Sequence, residues 1–146
     1  MMSLTEDRAI FTNIVTEELM KRVQRLRSSP VILQELLHKR HELRITVVGE
    51  KIFSAEIINN SPVDWRRKQI QVVVYNLPDL IKSMCLQLVK KLGLRYGCID
   101  MIVTPKNEYF FLEINPNGQY WFVEEKTGLM IGKSIAHLLM EGDDYR

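Results

Sequence analysis

Apolar positions along the chain recur at two periods. From Thr16 to Ser28, Leu19, Val23 and Leu26 fall at helical spacing, with Thr16 as an N-cap, Glu17 and Glu18 in the first turn and basic residues gathering toward a stop at Pro30. Val31 to Leu37 is a β-rich run, and Glu42 to Val48 and Lys51 to Ile58 flank a Gly49-Glu50 turn; together they predict a meander of antiparallel strands. Asn59 to Arg67 carries loop residues, and Gln69 to Tyr75 predicts a further strand. Pro78 opens a helix as a first-turn proline. Leu80, Ile81, Met84, Leu88, Val89 and Leu92 form its expected buried stripe, and Gly93 its stop. Cys98 to Thr104 and Tyr109 to Asn115 predict two strands, Asn117 to Gly128 a loop with aromatics, and Ile131 to Met140 a final amphipathic helix. This order is that of an α+β fold, mainly antiparallel sheet with packed helices.

Composition narrows the class. The 146 residues suffice for one compact domain with a real core, and no repeat or linker divides them. No apolar run approaches the ~18–20 residues needed to span a bilayer. Met1 to Asp7 has no signal-peptide core, so a cytoplasmic protein with no membrane partner is expected. Cys85 and Cys98 form no CxxC motif and read as free thiols of a reducing compartment. A net charge of +2 is too small to imply a nucleic-acid partner. Among the local basic groups, Arg66-Arg67-Lys68 is the best candidate to face a phosphate. His38, His41 and His137 are scattered and read as surface or core residues.

The candidate chemistry lies in Gly97 to Gln119, GCIDMIVTPKNEYFFLEINPNGQ. With a turn at Lys106-Asn107, Asp100 and Glu113 are equidistant from its centre and face each other across the hairpin. Asn115, two residues beyond Glu113, shares that face. Opposed like charges destabilise a sheet unless a counter-charge joins them. A hard divalent cation such as magnesium (Mg2+) would do so, taking oxygen ligands from the protein and the rest of its shell from water and nucleotide phosphates. The bland alternative is an exposed Asp and Glu on an open sheet face. The polar Asn-Pro-Asn-Gly-Gln loop at the strand end favours the site. A second pair, Glu35 within an apolar run and Glu42 ahead of Arg44, taken alone reads first as an edge strand with polar side chains.

In order and spacing, PVILQE (Pro30 to Glu35), ELRITVVG (Glu42 to Gly49), DWR (Asp64 to Arg66), LGLRYGCID (Leu92 to Asp100) and LEINPNGQ (Leu112 to Gln119) resemble the ATP-grasp superfamily. The closest likeness is to its microviridin-type peptide-modifying ligases, from about Ala9 onward. The resemblance implies ATP and Mg2+ as cofactors. It implies Asp100, Glu113 and Asn115 as metal ligands, and Gln34, Glu35 and Leu37 as a hinge on the adenine. It further implies Glu42 on the ribose hydroxyls, and Arg66 and, more weakly, Arg44 near the transferring phosphate. The implied reaction is acyl-phosphate formation from a carboxylate and ATP, then ester or amide formation on a peptide.

The likeness covers the C-terminal portion of such a ligase. Met1 to Arg8 holds no glycine and no lysine, so a glycine-rich phosphate loop is not expected here. The chain is therefore expected to be one partial domain over 1–146, with about 9–60 as the back of the lid subdomain and about 61–146 as the metal- and nucleotide-binding subdomain. It is expected to bind ATP or ADP, to be inactive alone, to take a peptide only within a full ligase, and to self-associate through exposed core surface. The competing reading is a non-catalytic nucleotide-binding or protein-interaction module.

Overall fold

The computed structural model describes residues 14–21, 32–59 and 70–140. Arg66 and most of the expected Asn59–Arg67 loop lie outside the described residues, as does the expected first helix beyond Lys21. Within its described part, that helix, α1 (Glu17–Lys21), starts as expected: Thr16 Oγ1 accepts the Leu19 amide at 3.3 Å, the N-cap contact.

Strands β1 (His41–Val48) and β2 (Lys51–Ile58) form a hairpin whose register, Val48↔Lys51 to Leu43↔Glu56, follows from the two-residue Gly49-Glu50 turn. A positive φ of 59° at Gly49 matches the right-handed strand twist. Strand β3 (Gln71–Val74) adds to β2, helix α2 (Asp79–Lys91) crosses beneath, and β4 (Tyr96–Val103) and β5 (Tyr109–Asn115) complete an antiparallel sheet of order β3-β2-β1-β4-β5. Helices α3 (Trp121–Thr127) and α4 (Ile131–Met140) close the chain.

The sheet separates two cores. On one face Leu43, Ile45, Val47, Ile99, Met101 and Val103 pack against Cys85 and Val89 of α2. On the other, Val48, Ala55 and Val72 pack against Val123 of α3 and Ile131 of α4. Strand β1 serves both, and its alternate side chains are buried on opposite sides.

Four expectations need correction. Of the expected strand Val31 to Leu37, Val31 lies outside the described residues, and residues 32–37, with 38 and 39 after them, are irregular. Ile32 and Leu33 are 86% and 68% exposed, which means no sheet face receives them. The aromatic loop expected from Asn117 to Gly128 ends at Tyr120, where α3 begins. Val123 anchors that short helix in the core, and Gly128, at φ 72°, stops it. On α2 the buried stripe is Ile81, Cys85, Leu88 and Val89, while Leu80, Met84 and Leu92 face outward. Pro78 sits one position earlier than expected, as the residue ahead of the helix, and its carbonyl accepts the Lys82 amide.

Candidate functional site

The β4–β5 hairpin builds the site. Its loop is one residue longer than a two-residue turn at Lys106-Asn107 would make it, which moves the turn centre half a residue back, onto Lys106. Asn107 donates its amide to the Thr104 carbonyl, the Thr104 amide reaches the Glu108 carbonyl, and Asn107 adopts φ 61°, the left-handed position of a three-residue loop. Near the turn the pairs are therefore Val103↔Tyr109 and Met101↔Phe111. A β-bulge then intervenes: Leu112 is the extra residue, and beyond it Asp100 faces Glu113 and Cys98 faces Asn115. The expected opposition of the two carboxylates is present, but the bulge restores it after the turn has displaced it. Without that extra residue the three-residue turn would set Asp100 against Leu112. Bulges commonly re-aim side chains beside functional sites.

Arg44 extends this row onto the central strand. It pairs in register with Asp100, and its Nε lies 3.2 Å from Asp100 Oδ1. Nε nonetheless has no aligned hydrogen-bond acceptor, so the contact is one of charge. The guanidinium lies 5.6 Å from the centroid of the Phe122 ring on α3. Arg44, Asp100 and Glu113 thus run across three adjacent strands on the α3/α4 face, and Arg44 supplies a counter-charge that the sequence argument had assigned to a metal alone.

Asn115 ends β5. Its Oδ1 accepts the Asn117 amide at 2.8 Å, and the Gly118 amide reaches its backbone carbonyl at 3.2 Å, which folds Asn115 to Gly118 into a tight turn. Glu113 and Asn115 are exposed, and Asp100 is half-buried. Among the described residues no three His, Cys, Asp or Glu side chains cluster. The oxygen set here is accordingly two carboxylates and one amide, hard donors of the kind magnesium takes when water and phosphate complete its shell. On the chemistry of its donors the set fits that ion.

Glu42 lies two residues before Arg44 on β1, held by Lys39 Nζ at 2.6 Å and Asn59 Nδ2 at 3.4 Å. Gln34 and Glu35 are exposed and Leu37 is half-buried, all in the irregular segment leading into β1.

Two groupings escaped sequence reasoning. On the α2 face, His41 Nδ1 lies 2.7 Å from Glu56 Oε1, its ring is 5.6 Å from that of Tyr75, and the Tyr75 and Tyr109 hydroxyls meet at 2.8 Å. Burial, then the hydrogen bond with Tyr75, pushes the Tyr109 phenol up to about 12. These residues come from four segments, and only the sheet register brings them together. The second grouping joins Tyr96, Cys98 and Gly118, where burial first and the Cys98 contact second hold the Tyr96 phenol well above its ordinary value.

Comparison with known proteins identifies the family and the fold. Residues 10–139 match the family described as RimK-like ATP-grasp domain. The macrocyclase MdnC from Microcystis aeruginosa, solved with precursor peptide MdnA, is 41% identical, with a TM-score of 0.82 over 95% of this chain and 45% of that one. The RiPP-associated ATP-grasp ligase of Chryseobacterium gregarium, solved with ADP and a leader and core peptide, is 34% identical, with a TM-score of 0.82 over 94% of this chain and 45% of that one. The ATP-grasp ligase PsnB, solved with Mg and ADP, is 24% identical with a TM-score of 0.74 over 87% of this chain and 42% of that one, a likeness of fold. The chain spans less than half the length of each of these structures. A comparison with curated proteins gave no match. Among the described residues no helix is long and apolar enough to cross a membrane.

Proposed function

The chain belongs to the RimK-like ATP-grasp family, and from that premise we propose that it carries the magnesium-nucleotide platform of an ATP-dependent ligase that joins a carboxylate to an alcohol or amine on a peptide. The observation that carries this reading is the row Arg44–Asp100–Glu113 on one sheet face, with Asn115 at its end. Asp100, Glu113 and Asn115 would hold magnesium through their oxygens. Bound there, the ion supplies positive charge beside the nucleotide phosphates. Arg44, already on that face, adds a second positive charge, and Arg66 a third. Gln34, Glu35 and Leu37 present backbone and carboxylate to the adenine, and Glu42 accepts hydrogen bonds from the ribose hydroxyls.

In the reaction of such a ligase the substrate carboxylate attacks the terminal phosphorus of ATP and ADP leaves. A hydroxyl or amine then attacks the acyl carbon, the bond to the phosphate oxygen breaks, and phosphate departs. Neither step needs a protein nucleophile. The protein's part is to position reactants and stabilise charge. The chain spans less than half the length of these relatives, and alone it is expected to bind nucleotide without turning it over.

Calorimetric titration of ADP with and without magnesium tests the reading. Magnesium-dependent binding that disappears in Glu113→Gln/Asn115→Ala is expected. Binding indifferent to magnesium, or unaltered by the double substitution, overturns the assignment. Magnesium-dependent ATP hydrolysis by this chain, lost in Glu113→Gln, would instead show catalysis without the remaining length.

A further inference from the structure

The Asn115–Gly118 turn is held from beneath by a built contact. Gly118 is buried although its neighbours Asn117 and Gln119 are exposed. A Cβ at Gly118 would lie 2.3 Å from Cys98 Cβ and 2.8 Å from its sulfur, so only a glycine lets the turn rest on β4 at this depth. The Tyr96 hydroxyl donates to the Gly118 carbonyl at 2.5 Å and lies 3.2 Å from Cys98 Sγ. Cys98 Sγ is in turn 3.6 Å from Thr46 Oγ1 on β1, two residues past Arg44. The Tyr96 ring also meets Tyr120, the residue ahead of α3, edge-on at a centroid separation of 6.4 Å. Its phenol has a single proton, and the carbonyl, which has none, takes it.

We propose that Tyr96, Cys98 and Gly118 form a clamp that sets the metal affinity of the site, with Tyr96 as a positioning residue acting through the Gly118 carbonyl. The inference rests on the magnesium-nucleotide reading of Asp100, Glu113 and Asn115. The mechanism is short. Tyr96 fixes Gly118, and Gly118 closes the turn whose Asn117 amide orients Asn115 Oδ1. One lone pair of that oxygen is thereby committed, and the other is presented on the face of Glu113. A loosened turn lets the amide rotate, and an ill-aimed ligand weakens a small, geometrically demanding ion more than it weakens a nucleotide.

The test uses the whole chain with manganese as a spectroscopic stand-in for magnesium. Two measurements are made on wild type and Tyr96→Phe: hydrogen exchange of the Asn117 and Gly118 amides without metal, and manganese affinity in the presence of ADP by electron paramagnetic resonance. Tyr96→Phe keeps the ring and loses only the donor. Faster exchange at both amides is expected, with manganese affinity reduced about five- to tenfold, the effect of one lost neutral hydrogen bond. ADP affinity without metal should stay within about twofold.

Gly118→Ala should impair manganese binding more severely, and adding Cys98→Gly should recover part of it although a glycine in β4 lowers stability. A merely structural role would not move metal affinity and stability in opposite directions. Unchanged exchange in Tyr96→Phe overturns the clamp. Equal losses of metal-free and metal-dependent ADP binding reduce Tyr96 to packing and overturn its positioning role. A wild-type chain that binds no manganese with ADP, while exchange still responds to Tyr96→Phe, overturns the nucleotide reading and the metal role, with the turn's dependence on Tyr96 left standing.

Discussion

At the scale of residues, the arrangement of Arg44 decides how the two opposed carboxylates coexist. Its Nε is 3.2 Å from Asp100, and both side chains are largely withdrawn from water, at 11% and 19% exposure. Arg44→Met should lower unfolding free energy by about 2 to 3 kcal/mol, below the range for fully buried pairs because Asp100 keeps some solvent. If the metal site is as proposed, magnesium with ADP should return part of that loss in urea denaturation. Glu113→Gln, which relieves like-charge opposition, should return part of it without metal.

Tyr109 gives a second residue-level expectation. Its phenol is raised to about 12 by burial and by its bond with Tyr75, against about 10 in the unfolded chain. Because the folded value is the higher, its contribution is complete below pH about 10 and is lost as pH rises toward 12. Tyr109→Phe should remove that segment of the alkaline stability profile measured by circular dichroism. The placement of Asp100 opposite Glu113, with Asn115 two residues on, was legible in the sequence because a hairpin is local: counting from its turn suffices, and a half-residue error in the turn was offset by the Leu112 bulge. The Arg44–Asp100 contact was not legible in that way, since it depends on how β1 registers with β4, some fifty residues further along.

Elements show the same division between local and distant information. The β1–β2 hairpin, β5 and α4 are read from alternation, turn chemistry and helical spacing that each segment carries within itself. The run Val31 to Leu37 has strand-like composition, but its described residues, 32–37, join no ladder, because a strand is made by its neighbour and among the described residues the sheet has β3 and β5 at its edges. For α2 the expected stripe was too wide: Ile81, Leu88 and Val89 pack as expected, and Leu80, Met84 and Leu92 do not. The stripe of Ile81, Cys85, Leu88 and Val89 faces the sheet, and Leu80, at 71% exposure, faces away. Val89→Ala should therefore cost about 2 kcal/mol through lost methyl burial and a residual cavity, whereas Leu80→Ser should stay within about 0.5 kcal/mol. In chemical denaturation the small effect of Leu80→Ser, with Val89→Ala as the buried control, distinguishes this narrower stripe from the wider one the apolar pattern suggested. The same placement protects Cys85: burial pushes its thiol up to about 11, so it should resist alkylation at pH 8 until the protein unfolds.

For the molecule as a whole, the sheet is a wall shared by two cores, and the proposed nucleotide face is the α3/α4 side of that wall. Val48 of β1 belongs to one core while Leu43, Ile45 and Val47 of the same strand belong to the other. No rearrangement of β1 can spare one face and release the other, since its alternate side chains are fixed by a single backbone. The two faces should accordingly unfold together. With Trp65→Phe, fluorescence reports from Trp121 at the start of α3, and alkylation located by mass spectrometry at Cys85 of α2 reports from the opposite face, so the two can be followed through one thermal ramp. Coincident transitions are expected. Magnesium with ADP at about a hundredfold excess over its dissociation constant should raise unfolding free energy by about 2.7 kcal/mol, and should move both transitions by the same amount even though only one face would touch the ligand. A shift confined to Trp121 would mean that α3 and α4 detach as a separate unit, and that the site is built on a movable cover instead of on the wall.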